Sequence, residues 1–167
     1  MTYKQAIKFK TKNTNFIFSD KRNRKGLRTK FQKEMARMTF ELLLNADLRQ
    51  FKRGTGTLKD ENDCYCGLGL VCELTNKPIN YYSFDEFIRE SELYKQVYNA
   101  MVGSHYEKTF ALQQEIEEFR TRFWSLHDGI KRENQNWFEV ISFMKFIMLS
   151  TDKQFNNYYT GVTNYNA

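Results

Sequence analysis

Five side chains have the types to do covalent or metal chemistry: Cys64, Cys66, Cys72, His105 and His127. Zinc takes four nitrogen or sulfur ligands in a tetrahedron, and paired C-x2-C knuckles present them well. The spacing C-x-C-x5-C is a different pattern, and on a helix Cys72 would point away from position 66, so no metal site is expected. Thiol hydrolysis is the more concrete chemistry. A cysteine that opens a helix gains thiolate character from the aligned backbone dipoles, so Cys66 would be the nucleophile and His127 its base. Two features weigh against it: the sequence is helical on both sides of His127, and Cys64 has no role in such a pair. No catalytic residue is assigned, and Cys66 with His127 stands as the alternative.

The other chemistry is electrostatic. Residues 1–37 hold twelve cations against two anions (net +10), leaving fourteen cations against eighteen anions (net −4) for the remainder and +6 for the chain. Such asymmetry builds a positive field at one end, which attracts polyanions or acidic protein surfaces. Lys21, Arg22, Arg24, Lys25, Arg28 and Lys30 are the candidate binding residues. Tyr3, Phe9, Phe16 and Phe18 are interleaved with the cations, a composition suited to phosphate neutralisation plus base stacking. No helix-turn-helix, zinc finger or RNA-binding signature is present, which argues against sequence-specific reading. Gly54-x-Gly56 lacks the later glycine, lysine and hydroxyl of a phosphate-cradling loop. Glu115, Glu117 and Glu118 read as a solvated face, and His105 as a solvent-facing turn residue.

The elements that must position these groups follow from periodicity and caps. With 167 residues, aromatics at 16% and a single proline, the chain should form one domain with enough apolar mass for a core. Residues 3–19 alternate around a turn-like centre, the pattern of a short β-hairpin. A helix is expected from about Leu27 to Asn45, because Phe31, Met35, Met38 and Leu42 recur at helical spacing. Gly54, Gly56 and the Lys59–Asp63 turn then punctuate a short extended piece. A short buried helix should run from Cys66 to Thr75. Ser83 and Glu86 form a capping-box pattern opening a helix expected to end near Gly103. Leu112, Ile116, Phe119, Phe123 and Leu126 share one face of another helix, closed by Asp128-Gly129. Asn136 and Glu139 cap a last helix that is apolar nearly all round, as central helices are. The fold class is α+β, mostly α: a basic arm over about 1–30, a helical body over about 27–150 and a Tyr/Asn-rich tail over 151–167.

The stretch Thr57 to Leu74 resembles a motif of small phage-encoded proteins, in which a Gly-x-Leu strand and polar turn precede Tyr-Cys-Cys-Leu-Gly, two aliphatics and Cys-Asp-Leu. Tyr65, Cys66, Leu68, Gly69 and Cys72 match, Glu73 and Leu74 are close equivalents, and Gly67 replaces the second Cys. A second landmark, Leu-Asn-Asp-x-Gly followed by Phe-x-x-Ile, resembles Leu126-His127-Asp128-Gly129 with Phe138 to Ile141, His127 departing from Asn. The resemblance covers roughly residues 40–150, without the basic arm, and implies a phage origin rather than an activity. Within the motif, Leu68, Val71 or Cys72 and Leu74 should face the core, and Gly69 should admit close backbone approach by a neighbour. Cys66-Gly67-Leu68 with His127-Asp128-Gly129-Ile130 is also loosely similar to papain-like cell-wall peptidases, although those enzymes carry the histidine on a sheet.

The expectation is therefore a non-enzymatic phage-encoded accessory protein that binds an anionic macromolecule, with no cofactor. Nucleic acid or an acidic host protein is the expected partner, and inhibition or redirection of a host system the expected role. The odd cysteine count suits a reducing compartment, and the longest apolar stretch, Trp137 to Leu149, falls short of the roughly 20 residues of a membrane span. Both place the protein in the host cytoplasm. The last helix and the Tyr-rich tail could form a self-association surface, with burial in the core as the competing role.

Overall fold

A computed structural model describes residues 29–101, 106–130 and 136–150. The expected hairpin at 3–19 and the tail at 151–167 lie outside the described residues. Six helices and one pair of very short strands make up the described part, an α+β fold that is mostly α.

Helix α1 spans Lys30–Asn45 and starts where Thr29 Oγ1 accepts the Gln32 amide at 3.0 Å, so the side chain satisfies a donor that the first turn cannot. Its buried face is broader than the expected stripe. Phe31 and Met35 are buried, but Ala36, Phe40 and Leu43 complete the face while Met38 and Leu42 are half-buried. After a 3-10 turn at Leu48–Gln50, strand β1 (Lys52–Arg53) pairs in parallel with β2 (Cys64–Tyr65), Lys52 opposite Cys64 and Arg53 opposite Tyr65. Asp60 shapes the intervening loop, its Oδ1 accepting the Asn62 and Cys64 amides at 2.9 Å each. Such side-chain bonds to the backbone two residues on are how aspartate stabilises turns.

Helix α2 (Gly67–Leu74) follows directly, with Leu68, Leu70, Val71 and Cys72 fully buried and Leu74 half-buried. It ends in a left-handed residue, Asn76 (φ 53°), with Lys77 N–H bonding Cys72 O and Asn76 N–H bonding Glu73 O. That six-to-one and five-to-two pairing closes the helix, and Pro78 cannot continue it. Helix α3 is Tyr81–Arg89 and helix α4 is Glu92–Met101. Here the expectation is corrected twice. Asn80, not Ser83, caps α3: its Oδ1 accepts the Ser83 amide at 2.8 Å, and Ser83 becomes a buried residue of the first turn. The single helix expected to reach Gly103 is also broken, because Ser91 Oγ accepts the Tyr94 amide at 3.0 Å and starts a second helix. A serine hydroxyl competes with the helical ladder for backbone partners, and at position 91 it wins.

Helix α5 (Tyr106–Asp128) buries all five expected residues, and α6 (Trp137–Leu149) starts from Asn136, whose Oδ1 accepts the Glu139 amide at 3.2 Å. α6 is buried over most of its circumference and packs chiefly on α1. Phe84 of α3 stacks on Phe119 and Phe123 of α5, each at 6.1 Å, and Phe40 of α1 meets Phe123 at 5.9 Å. Each such fully buried ring contributes about 1.5–3 kcal/mol.

Gly69 is where helix α2 meets the loop before it. A Cβ there would fall 1.8 Å from Leu58 O, a carbonyl already fixed by the Cys66 amide at 3.0 Å. The expected close approach is present. Gly69→Ala should therefore cost about 3 kcal/mol or more in urea unfolding, since the clash is with backbone that cannot rotate away. Gly56 has φ +85° but open space around it, so Gly56→Asn should cost less than about 1 kcal/mol.

Candidate functional site

Of the candidate binding residues, Lys30 lies within the described part; Lys21, Arg22, Arg24, Lys25 and Arg28 lie outside it. Lys30 opens α1 and is exposed, as are Lys33 and Arg37 at spacings of three and four, so the three cations share one outward stripe. Arg37 is held by Glu34 at 2.5 Å and Glu41 at 2.7 Å. The paired guanidinium draws the Glu34 carboxyl below its ordinary range. Lys30 and Lys33 make no ion pair with a described residue, so the outward positive charge runs to Lys33 and is compensated at Arg37. The start of α1 is also tied to α5. Gln32 Nε2 donates to Glu118 Oε2 at 3.2 Å, and burial raises the Glu115 carboxyl while the Thr29 hydroxyl opposes that shift. Glu117 and Glu118 are exposed as expected, whereas Glu115 is half-buried.

Cys66 occupies the N-cap of α2, as the thiol reading requires, but is only 3% exposed. Burial pushes its thiol up to about 11, outweighing the Gly69 and Leu68 amides that favour the thiolate. A nucleophilic cysteine needs the opposite shift. His127 lies in the last turn of α5 and is completely buried. Its Nδ1 is 3.0 Å from Asp128 Oδ1 and its Nε2 has no hydrogen-bond partner, so no Cys66–His127 hydrogen bond exists. Cys72 donates to Asn80 O at 3.5 Å, and Cys64 is half-exposed. Among the described residues no group of three or more His, Cys, Asp or Glu side chains converges as a metal site.

What surrounds His127 was not foreseeable from spacing. Arg53 reaches in from β1, 2% exposed, and its Nη2 donates to His127 O at 2.7 Å and Ile130 O at 2.9 Å. It thereby adds a second donor to the His127 carbonyl, which also accepts the Ile130 amide at 3.2 Å, and ties down Ile130 just past the helix end. Burial lowers the guanidinium to about 10, against the pull of Asp128. Asp128 Oδ2 in turn accepts from Trp124 Nε1 at 2.6 Å and from the Gly56 amide at 3.2 Å. The His127 ring stacks on Trp137 with centroids 5.4 Å apart, and Trp137 Nε1 donates to Phe51 O at 3.0 Å. An arginine in a two-residue strand carries no sequence signal of burial.

A second polar network joins α3 to α5. Arg120 Nη1 meets both Asp85 oxygens at 2.5 and 2.6 Å, Gln113 Nε2 reaches Asp85 Oδ2 at 3.3 Å, and Arg89 Nη2 donates to Gln113 Oε1 at 2.5 Å. Tyr81 and Tyr82, 48% and 65% exposed, lie 5.4 Å from the Arg120 guanidinium and 6.0 Å from that of Arg89. Its members are spread over little more than two turns of α3 and two positions of α5 seven residues apart, and the two helices are remote in sequence, so no local spacing announces it.

Compared with protein-family models, curated proteins and solved structures, the chain matches none.

Two outcomes follow from this geometry. In native alkylation with iodoacetamide near pH 7.5, Cys64 should react first while Cys66 and Cys72 react only on unfolding, read by mass spectrometry of the peptides; rapid labelling of Cys66 would show an accessible thiolate. Asp85→Ala leaves Arg120 largely buried without its carboxylate, and should lower unfolding free energy by about 3 kcal/mol.

Proposed function

We propose that the chain is a non-enzymatic accessory protein of phage origin whose basic leading segment binds nucleic acid. The single observation carrying this reading is the segregation of charge, net +10 over residues 1–37 against net −4 over the rest. Lys30 and Lys33 support it, because they continue the basic run onto the outer face of α1 without an ion pair to a described residue. Lys21, Arg22, Arg24, Lys25 and Arg28 would supply the greater part of the grip on phosphates. Guanidinium and ammonium groups neutralise phosphate without reading sequence, so binding would be strong at low salt and indifferent to base order. Such a protein would inhibit or redirect a host system by occupying its nucleic acid, from within the host cytoplasm.

Nothing comparable supports the thiol-hydrolase alternative: a buried neutral thiol and a histidine turned to Asp128 do not make a nucleophile and its base. No helix of the described residues is long and apolar enough to cross a membrane, so no interaction with lipid is proposed. Self-association through α6 has little support either, since most of that helix is spent on the core.

Fluorescence anisotropy with labelled single-stranded and duplex oligonucleotides tests the proposal. Five neutralised phosphates would give a log–log salt slope of about −4.5 on duplex. Reversing Arg22, Arg24 and Lys25 to Glu should weaken binding more than about 100-fold at 0.1 M salt. Lys30→Glu with Lys33→Glu should flatten the slope by about 2. Undiminished binding after the triple reversal would overturn the proposal. Nuclease-resistant capture of an acidic protein, with no oligonucleotide binding, would replace nucleic acid by the other expected partner.

A further inference from the structure

His127 is the buried titratable group for which the binding proposal has no use. A carboxylate can only accept, so the 3.0 Å contact with Asp128 Oδ1 puts the neutral ring's proton on Nδ1 and leaves Nε2 as a bare lone pair. That Nε2 is covered and has no partner, so a proton added there would be buried as an unsatisfied donor as well as a charge. The surroundings give it nowhere to move. From α6 the ring is faced by the uncharged Trp137 indole, stacked at 5.4 Å. From the start of α2 it is faced by Gly67, where a Cβ would lie 3.4 Å from His127 Cδ2, and Cys66 beside that glycine is a neutral thiol. From β1 comes the Arg53 cation, bonded to the carbonyl of His127 itself. On α5 Asp128 is the one described anion acting on the ring, and its second oxygen is already engaged by Trp124 and Gly56.

We propose that His127 is an acid-sensitive latch: protonation at Nε2 releases the last turn of α5 from Arg53 and Trp137 and opens the corner where α5, β1 and the start of α6 meet. Burial is the largest influence and lowers the folded-state pKa; Arg53 adds to it, and Asp128 opposes both. The unfolded or opened chain therefore binds more protons than the closed one at mildly acid pH. Closure is complete well above the ordinary histidine value of about 6.5 and is lost as pH falls below it, by up to about tenfold per pH unit in the closing equilibrium. Glu115, with its pKa raised by burial, changes stability in the opposite sense and cannot produce this loss.

Hydrogen exchange by NMR on the full chain tests the latch, with His105→Gln removing the other histidine. Between pH 8 and 5, protection factors corrected for intrinsic rates should fall at Phe51, Lys52, Arg53, His127, Asp128 and Val140 while those of α2 and α3 hold. His127→Phe should abolish that pH dependence. Should His127→Phe fail to fold, the imidazole resonances of the His105→Gln protein decide. A His127 ring that titrates near 6.5 with the corner still protected would overturn the latch, as would unchanged acid sensitivity in His127→Phe.

Discussion

The buried Arg53 guanidinium is the interaction on which the arrangement of the other elements depends. A helix of twenty-three residues ends at Asp128, and its last carbonyls must find donors away from water. Arg53, seventy-four positions before His127, donates to His127 O beside the Ile130 amide and to Ile130 O just past the helix. That bond fixes β1 against the end of α5 and, through the parallel register, sets β2 and the start of α2. Trp137 then locks α6 to the same corner by stacking on His127 and donating to Phe51 O. A buried charge is costly unless it is well bonded, and the two carbonyls with nearby Asp128 offset part of that cost.

Around this corner the core is built from local rules legible in the sequence. The five-residue face of α5, the short buried α2, the Asn136 cap and the all-round apolar character of α6 were each written in spacing and composition, because each depends on residues within a few turns of one another. Gly69 was legible as a close-approach position, though not the carbonyl it approaches. The α3–α4 break was not, because Ser91 and Ser83 offer the same hydroxyl and only tertiary placement decides which one caps. Arg53 and the Asp85–Arg120 pair were invisible for a stronger reason: their partners are remote in sequence, and both residue types ordinarily read as surface.

The same distinction separates the two chemical readings of the chain. Cys66 and His127 look like chemistry when read as residue types, but their surroundings assign them to packing and to a proton-sensitive contact. The positive charge is a property of the sequence itself and needs no special geometry, only exposure. At Lys30 and Lys33 it has that exposure, on a helix held in place by α6 on its inner face and by Gln32–Glu118 at its start. A packed helical body bearing a cationic leading segment is the physical content of the binding proposal.

Backbone amide shift mapping with a short single-stranded oligonucleotide addresses that content most directly. The account predicts that perturbations concentrate on the leading segment and at Lys30 and Lys33, fading beyond Arg37 where the acidic partners begin, while the amides of Cys66, His127 and α6 stay in place. Perturbations centred on Cys66 and His127, with the leading segment and the first turns of α1 unmoved, would contradict it.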